Sequence, residues 1–200
     1  MMKALEPQLL VLTGPMKSGK SDLLIQYARK RQEQGIRVSA FKPSTDTRDV
    51  EIKSRSGLKI DCQKVHPKLG ATSIRFAVLA HEPHTVIIDE FQFMMSYDYI
   101  RLVQELVAKG YEVIIAGLDM TSDKEPFGLM PYAMCIADHV NKLHGWCENC
   151  TTDDHITPSV LTFADFEKTD SVAVESEQST YKSVCRSCWE VLTKLKTQNS

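Results

Sequence analysis

Short apolar runs separated by amphipathic stretches organise the first 120 residues. LLVLT (9–13), RVSAF (37–41), TVII (85–88) and EVIIA (112–116) read as strands, and TVII is wholly apolar after Pro83. Residues 21–34 predict a helix with Leu24, Tyr27 and Ala28 on one stripe, stopped by Gly35. Residues 98–109 predict another, with Leu102, Val103, Leu106 and Val107 on its buried face and Gly110 as its stop. Strand–helix–strand alternation with apolar strands predicts an α/β fold: a parallel sheet covered by helices on both faces. The pattern changes near His144. Beyond it apolar runs are few, and a polar stretch at 167–181 (EKTDSVAVESEQSTY) reads as a flexible loop. KLKTQNS at the end reads as a frayed tail. The predicted division is 1–144 and 145–200, with a short linker and the two units packed together.

Composition narrows the class. The chain has 200 residues, 42% hydrophobic and 25% charged, enough to bury a core. Lys and Arg number 24 against 26 Asp and Glu, a net charge of -2, which argues against a basic nucleic-acid coat. No apolar run reaches the roughly 18 residues of a membrane span. The N-terminus, MMKALEPQLLVLTG, leads into a glycine motif rather than a cleavage site, so the expectation is a cytoplasmic protein without membrane or nucleic-acid partners.

The segment Gly14-Pro15-Met16-Lys17-Ser18-Gly19-Lys20-Ser21 matches G-x-x-x-x-G-K-[ST], with a strand before it and a helix after it. Glycines let successive amides wrap around phosphate oxygens, and the helix N-terminus adds its dipole. Lys20 supplies a point charge to the β and γ phosphates, and Ser21 a hydroxyl for Mg²⁺. A chance match in a glycine turn would lack the flanking strand and helix. Lys17 is an extra cation, read either as near phosphate or as facing solvent. The apolar strand at 85–88 ends in Asp89 and Glu90. Asp89 is the better magnesium candidate, and Glu90 is then free to act as a base, since adjacent strand residues point to opposite faces. Gln92 and Phe93 follow and are placed to line the same cleft.

Two C-x-x-C pairs, Cys147/Cys150 and Cys185/Cys188, stand 34 residues apart. Four thiolates suit a closed tetrahedral structural zinc. A redox C-x-x-C and a nucleic-acid-binding ribbon are the alternatives. Cys62 and Cys135 fall outside this pattern, and Cys135, in an apolar helical stretch at 130–137, is expected in the core. His144 and His155 read as surface residues.

Together these pieces resemble the type II thymidine kinases, the small cytosolic deoxynucleoside kinases with a structural zinc. The matching segments run in order: GPMKSGKS (14–21), FKPSTDTR (41–48), SRSG (54–57), IIDEFQF (87–93), GLDMTSDKEPFG (117–128), ADHVNKL (137–143), CENC (147–150) and YKSVCRSC (181–188). The resemblance implies a RecA-like P-loop domain joined to a small zinc-ribbon lasso domain. It implies transfer of phosphate from ATP, with Mg²⁺, to the 5′-hydroxyl of thymidine, giving dTMP. Glu90 would be the base. Asp46 would sit beside magnesium, and Arg48 would neutralise the transferring charge. Taken without the resemblance, Asp46 and Arg48 read as a solvated surface pair. Met16, Gln92, Phe93, Leu118, Phe127 and Tyr181 would surround the nucleoside. The expected assembly is a homotetramer. Three features differ from the family pattern. Lys17 stands where an aromatic residue is usual. The stretch VAVESEQSTY (172–181) lacks the usual paired glycine. HITPS (155–159) lacks a phosphate-reaching arginine. They leave open a kinase for another nucleoside or a monophosphate, and a non-catalytic nucleotide binder.

Overall fold

The computed structural model describes residues 8–45, 51–165 and 181–198. The chain begins with β1 (Gln8–Thr13), α1 (Lys20–Glu33) and β2 (Val38–Pro43). A hairpin of β3 (Glu51–Lys53) and β4 (Lys59–Asp61) leads into β5 (Gln63–Val65) and α2 (Gly70–His81). β6 (Thr85–Ile88), α3 (Asp98–Ala108), β7 (Glu112–Ala116), α4 (Met130–Ile136) and β8 (His139–Lys142) complete the larger part. Six strands form one parallel sheet in the order β5-β2-β6-β7-β1-β8. As predicted, helices cover both faces.

The pleat explains how apolar strands serve two cores. On β7, Val113 and Ile115 pack with residues of α2, α3 and α4, whereas Ile114 and Ala116 pack with Leu24, Ile25 and Ala28 of α1. β6 divides likewise, Val86 and Ile88 against Ile87. Each fully buried Ile or Leu contributes about 1.5–3 kcal/mol relative to exposure. The predicted strands lie within a residue or two of their places. On α1 the buried residues are Leu24, Ile25 and Ala28, with Tyr27 half-buried at the edge of the stripe. α3 buries Leu102, Val103 and Leu106, as its spacing predicts.

Buried charge is anchored inside this frame. Glu112 opens β7 at 1% exposure, and Arg31 near the end of α1 grips both its oxygens, Nε to Oε2 at 2.9 Å and Nη2 to Oε1 at 2.6 Å. Thr85 Oγ1 donates to the same carboxylate at 2.7 Å. Burial pushes the Glu112 carboxyl up, but the hydrogen bonds from Arg31 and Thr85 outweigh it and hold it below the usual range.

The cysteine-bearing part follows with β9 (Gly145–Trp146), β10 (Pro158–Ser159), β11 (Leu161–Ala164), β12 (Tyr181–Val184) and α5 (Arg186–Gln198). β9 pairs with β10 and β11 with β12, both antiparallel. Leu161, Phe163 and Val184 pack with Trp189 and Leu192 of α5. This packing corrects the frayed-tail expectation: the helix continues to Gln198, and Lys196 Nζ donates to Ala164 O at 3.2 Å. The part is fastened to the sheet domain, since Trp189 Nε1 donates to Ser122 O at 3.0 Å and Lys124 Nζ lies 3.9 Å above the indole ring.

Cys135 is a second correction. α4 is only seven residues long and buries Met130 and Ala133, so Cys135 falls on its exposed side. Cys62 is half-buried beside the α1 core.

Candidate active site

The expected phosphate loop and pair of acids follow the carboxyl ends of β1 and β6. Thr13 Oγ1, at the end of β1, donates to Gly117 O at 3.0 Å and fixes where the strand stops. The chain then turns through Gly14 at φ 134°, where a Cβ would collide with the Leu143 carbonyl. Gly19, at φ 82°, caps α1. Lys20 opens α1, and its ammonium reaches back across the loop to Pro15 O at 2.7 Å and Gly14 O at 3.1 Å. These carbonyls hold the cation at the mouth of the loop, where an arriving phosphate would meet it.

Asp89 follows β6 at 7% exposure, its amide bonded to Phe41 O at 2.9 Å. The two acids do not separate by strand alternation, because β6 ends at Ile88 and Glu90 enters the left-handed region at φ 51°, ψ 41°. That turn re-aims the carboxylate. Gln92 Nε2 donates to Glu90 Oε2 at 2.6 Å, and Gln92 Oε1 accepts from the Leu118 amide at 3.0 Å. Gln92 is 3% exposed, and two glycines make room for it. A Cβ at Gly117 would stand 2.5 Å from Gln92 Oε1, and one at Gly128 would strike Gln92 O. Glu90 is thus held by a side chain that is itself held.

A cavity of about 610 Å³ joins these groups. The phosphate loop from Met16 to Ser21 borders it, with Asp89, Glu90 and Leu118. Its size suits a nucleotide. The residues expected around a nucleoside are distributed more widely. Met16 is buried, with its amide donating to Thr162 Oγ1 at 3.0 Å. Phe93 and Phe127 meet edge to face, centroids 5.5 Å apart, and Gln92 stands behind Glu90. Tyr181 starts β12 opposite Ala164, half-buried. Asp46, Arg48 and the 172–180 stretch lie outside the described residues.

The cavity also contains cations to which sequence reasoning gave no role. Lys42 ends up 2% exposed on β2, donating to Glu51 O at 2.9 Å. Lys53 and Arg55 reach the cavity from the β3–β4 hairpin. Lys42 belongs to FKPSTDTR and Arg55 to SRSG, with Lys53 directly before it, but only the folding of the hairpin over α1 brings Lys53 and Arg55 to the loop. There Ile52 and Ile60 pack with Leu24 and Ala28.

The four paired cysteines form one cluster, with all four Sγ atoms within 4.8 Å of one another. Cys150 and Cys185 sulfurs are 3.9 Å apart. A tetrahedron with Zn–S of about 2.3 Å has edges of about 3.8 Å, so the donor set and its spacing fit zinc. Burial raises the Cys147 thiol, but amides of Cys185, Asn149 and Cys150 outweigh it and bring it down to about 7. The Cys188 backbone amide points at Cys185 Sγ at 3.4 Å and Asn149 Nδ2 at Cys188 Sγ at 3.3 Å, the outer hydrogen bonds that orient metal thiolates. One cluster of four, rather than two separate pairs, disfavours the redox reading.

Residues 7–189 match the family model for thymidine kinase. That match spans the phosphate loop, both acids, the Gln92 anchor and all four cysteines, and with the parallel sheet and thiol cluster it places the chain in the thymidine kinase family, as a nucleoside kinase of that type.

Proposed function

We propose that this protein is a thymidine kinase proper, transferring the γ-phosphoryl group of ATP to the 5′-hydroxyl of thymidine to give dTMP. The observation that carries the proposal is the Glu90 carboxylate, fixed through Gln92 and facing the same cavity as Lys20 and the phosphate loop. Residues 14–21 wrap the phosphates. As phosphate arrives, the Lys20 ammonium exchanges its loop carbonyls for phosphate oxygens. Glu90 accepts the proton of the 5′-hydroxyl as the new O–P bond forms and the β–γ bridging bond breaks, releasing ADP. Arg48 neutralises charge on the group in transit. Ser21, Asp89 and Asp46 would hold Mg²⁺, which when bound neutralises the β and γ phosphates. Met16, Leu118, Phe93, Phe127 and Tyr181 enclose the nucleoside. Gln92, with its carbonyl occupied by the Leu118 amide, orients Glu90. In this reading residues 1–144 hold ATP and residues 145–200, stapled by zinc, cover the nucleoside. The enzyme works in the cytoplasm as a homotetramer, which light scattering after size exclusion would read directly.

A coupled assay with ATP, Mg²⁺ and a panel of nucleosides and monophosphates tests the proposal. Thymidine is expected to be the preferred acceptor, and failure to phosphorylate any acceptor would overturn the kinase assignment. A second reading is favoured by the glycine-free 172–181 stretch, where bulkier residues restrict the backbone. It keeps the phosphate chemistry and changes the acceptor, or keeps only nucleotide binding. Turnover on another acceptor, or tight ATP binding without turnover, would select it.

A further inference from the structure

The phosphate loop does not stand on its own strand and helix alone. Three consecutive groups of it touch the cysteine-bearing part. The Met16 amide donates to Thr162 Oγ1 at 3.0 Å. The Lys17 carbonyl lies so close to Gly145 that a Cβ there would stand 2.9 Å from it. The Lys17 ammonium pairs with Glu148 Oε2 at 2.5 Å. Glu148 is itself fixed, since its Oε1 accepts from the Ser183 amide at 2.7 Å and its own amide donates to Ser183 O at 2.9 Å. It sits directly after Cys147, inside the first metal-binding knuckle, and Ser183 lies on the strand leading to Cys185. Lys17 also adopts φ 61°, a conformation that a lysine takes only when its surroundings impose it.

We propose that the Lys17–Glu148 ion pair is a strut by which the four-cysteine unit sets the conformation of the phosphate loop, coupling metal retention to ATP binding. Lys17 is then a positioning residue whose charge is directed at Glu148 rather than at phosphate. The inference rests on the kinase reading only in taking ATP as the ligand of the loop. Coupling of this kind is reciprocal: if the metal-loaded unit favours ATP, bound ATP favours the metal-loaded unit.

The test uses the zinc-loaded full chain. ATP affinity is measured by calorimetry for wild type, Lys17→Met, the isosteric Glu148→Gln, and the double variant. Each single variant is expected to weaken ATP about threefold to fivefold, the size of a partly exposed ion pair, and the double variant no further. A phosphate-contacting Lys17 predicts opposite signs instead, Lys17→Met weakening ATP and Glu148→Gln tightening it, and that result would overturn the strut. Zinc loss to a chromogenic chelator is the second readout. ATP should slow it in wild type and not in Glu148→Gln, whereas equal protection of both would also overturn the proposal. Wild type that binds no ATP removes the nucleotide reading and the strut together. ATP binding indifferent to both substitutions removes the strut alone.

Discussion

Directly after a buried aspartate, the backbone at Glu90 swings into the left-handed region and delivers a carboxylate to Gln92. A glutamine at 90 keeps the shape and cannot take a proton. Glu90→Gln is therefore expected to lower kcat by about 10²- to 10⁴-fold while ATP affinity by calorimetry stays within about twofold. Gln92→Leu would act differently, because it strips the Leu118 amide of its acceptor as well as releasing Glu90. A loss of about 1–3 kcal/mol in urea melts should accompany the fall in kcat. The position of the two acids is legible in the sequence, as an apolar strand that ends in Asp-Glu. Gln92 as an anchor is not legible. Its place depends on Gly117 and Gly128 approaching it from 25 and 36 residues away.

At the scale of elements, the sheet and α1 are joined by Arg31 and Glu112. Removing the guanidinium leaves a buried carboxylate without its counter-ion. Arg31→Met should thus destabilise the fold by about 3–5 kcal/mol at neutral pH. The sign of its pH dependence follows from the lowered Glu112 carboxyl. A depressed carboxylate pKa contributes stability above its unfolded value of about 4.3, and that contribution is lost as pH falls through the folded value. The gap between wild type and Arg31→Met should therefore be widest near neutrality and shrink below about pH 4, as denaturant titrations at several pH values would show. The strands and helices with regular apolar spacing are legible. α2 is not, because Phe76 and Leu79 stand exposed on its outer side while Ile74 and Val78 are buried, and apolar residues on both sides erase the period. The exposed Cys135 shows the converse, an apolar stretch too short to bury all of itself.

Across the whole molecule, the four thiols tie together two ends of a unit that holds few apolar residues of its own. Elemental analysis should find about one zinc per chain. Stripping it with a chelator should lower the melting temperature and loosen β9–β12 by hydrogen exchange, with recovery on adding zinc back. A metal-free protein with unchanged exchange would contradict the structural role. Among the described residues no helix is long and apolar enough to cross a membrane, in line with the absence of a long apolar run. The parallel α/β sheet, the phosphate loop, the pair of acids and the two cysteine pairs can all be read from the order of residues. Each is written in a local period or a fixed spacing of few residues, and local backbone physics suffices to read it. It takes the folded chain to see that the β3–β4 hairpin brings Lys53 and Arg55 to the cavity, that Gln92 holds Glu90, and that Glu148 reaches Lys17. Each depends on residues distant in sequence, Gln92 through its bond to the Leu118 amide. The hairpin and the cysteine-bearing part reach the loop because Ile52, Ile60 and Phe163 are buried and Trp189 packs against its neighbours, and no local pattern encodes that packing.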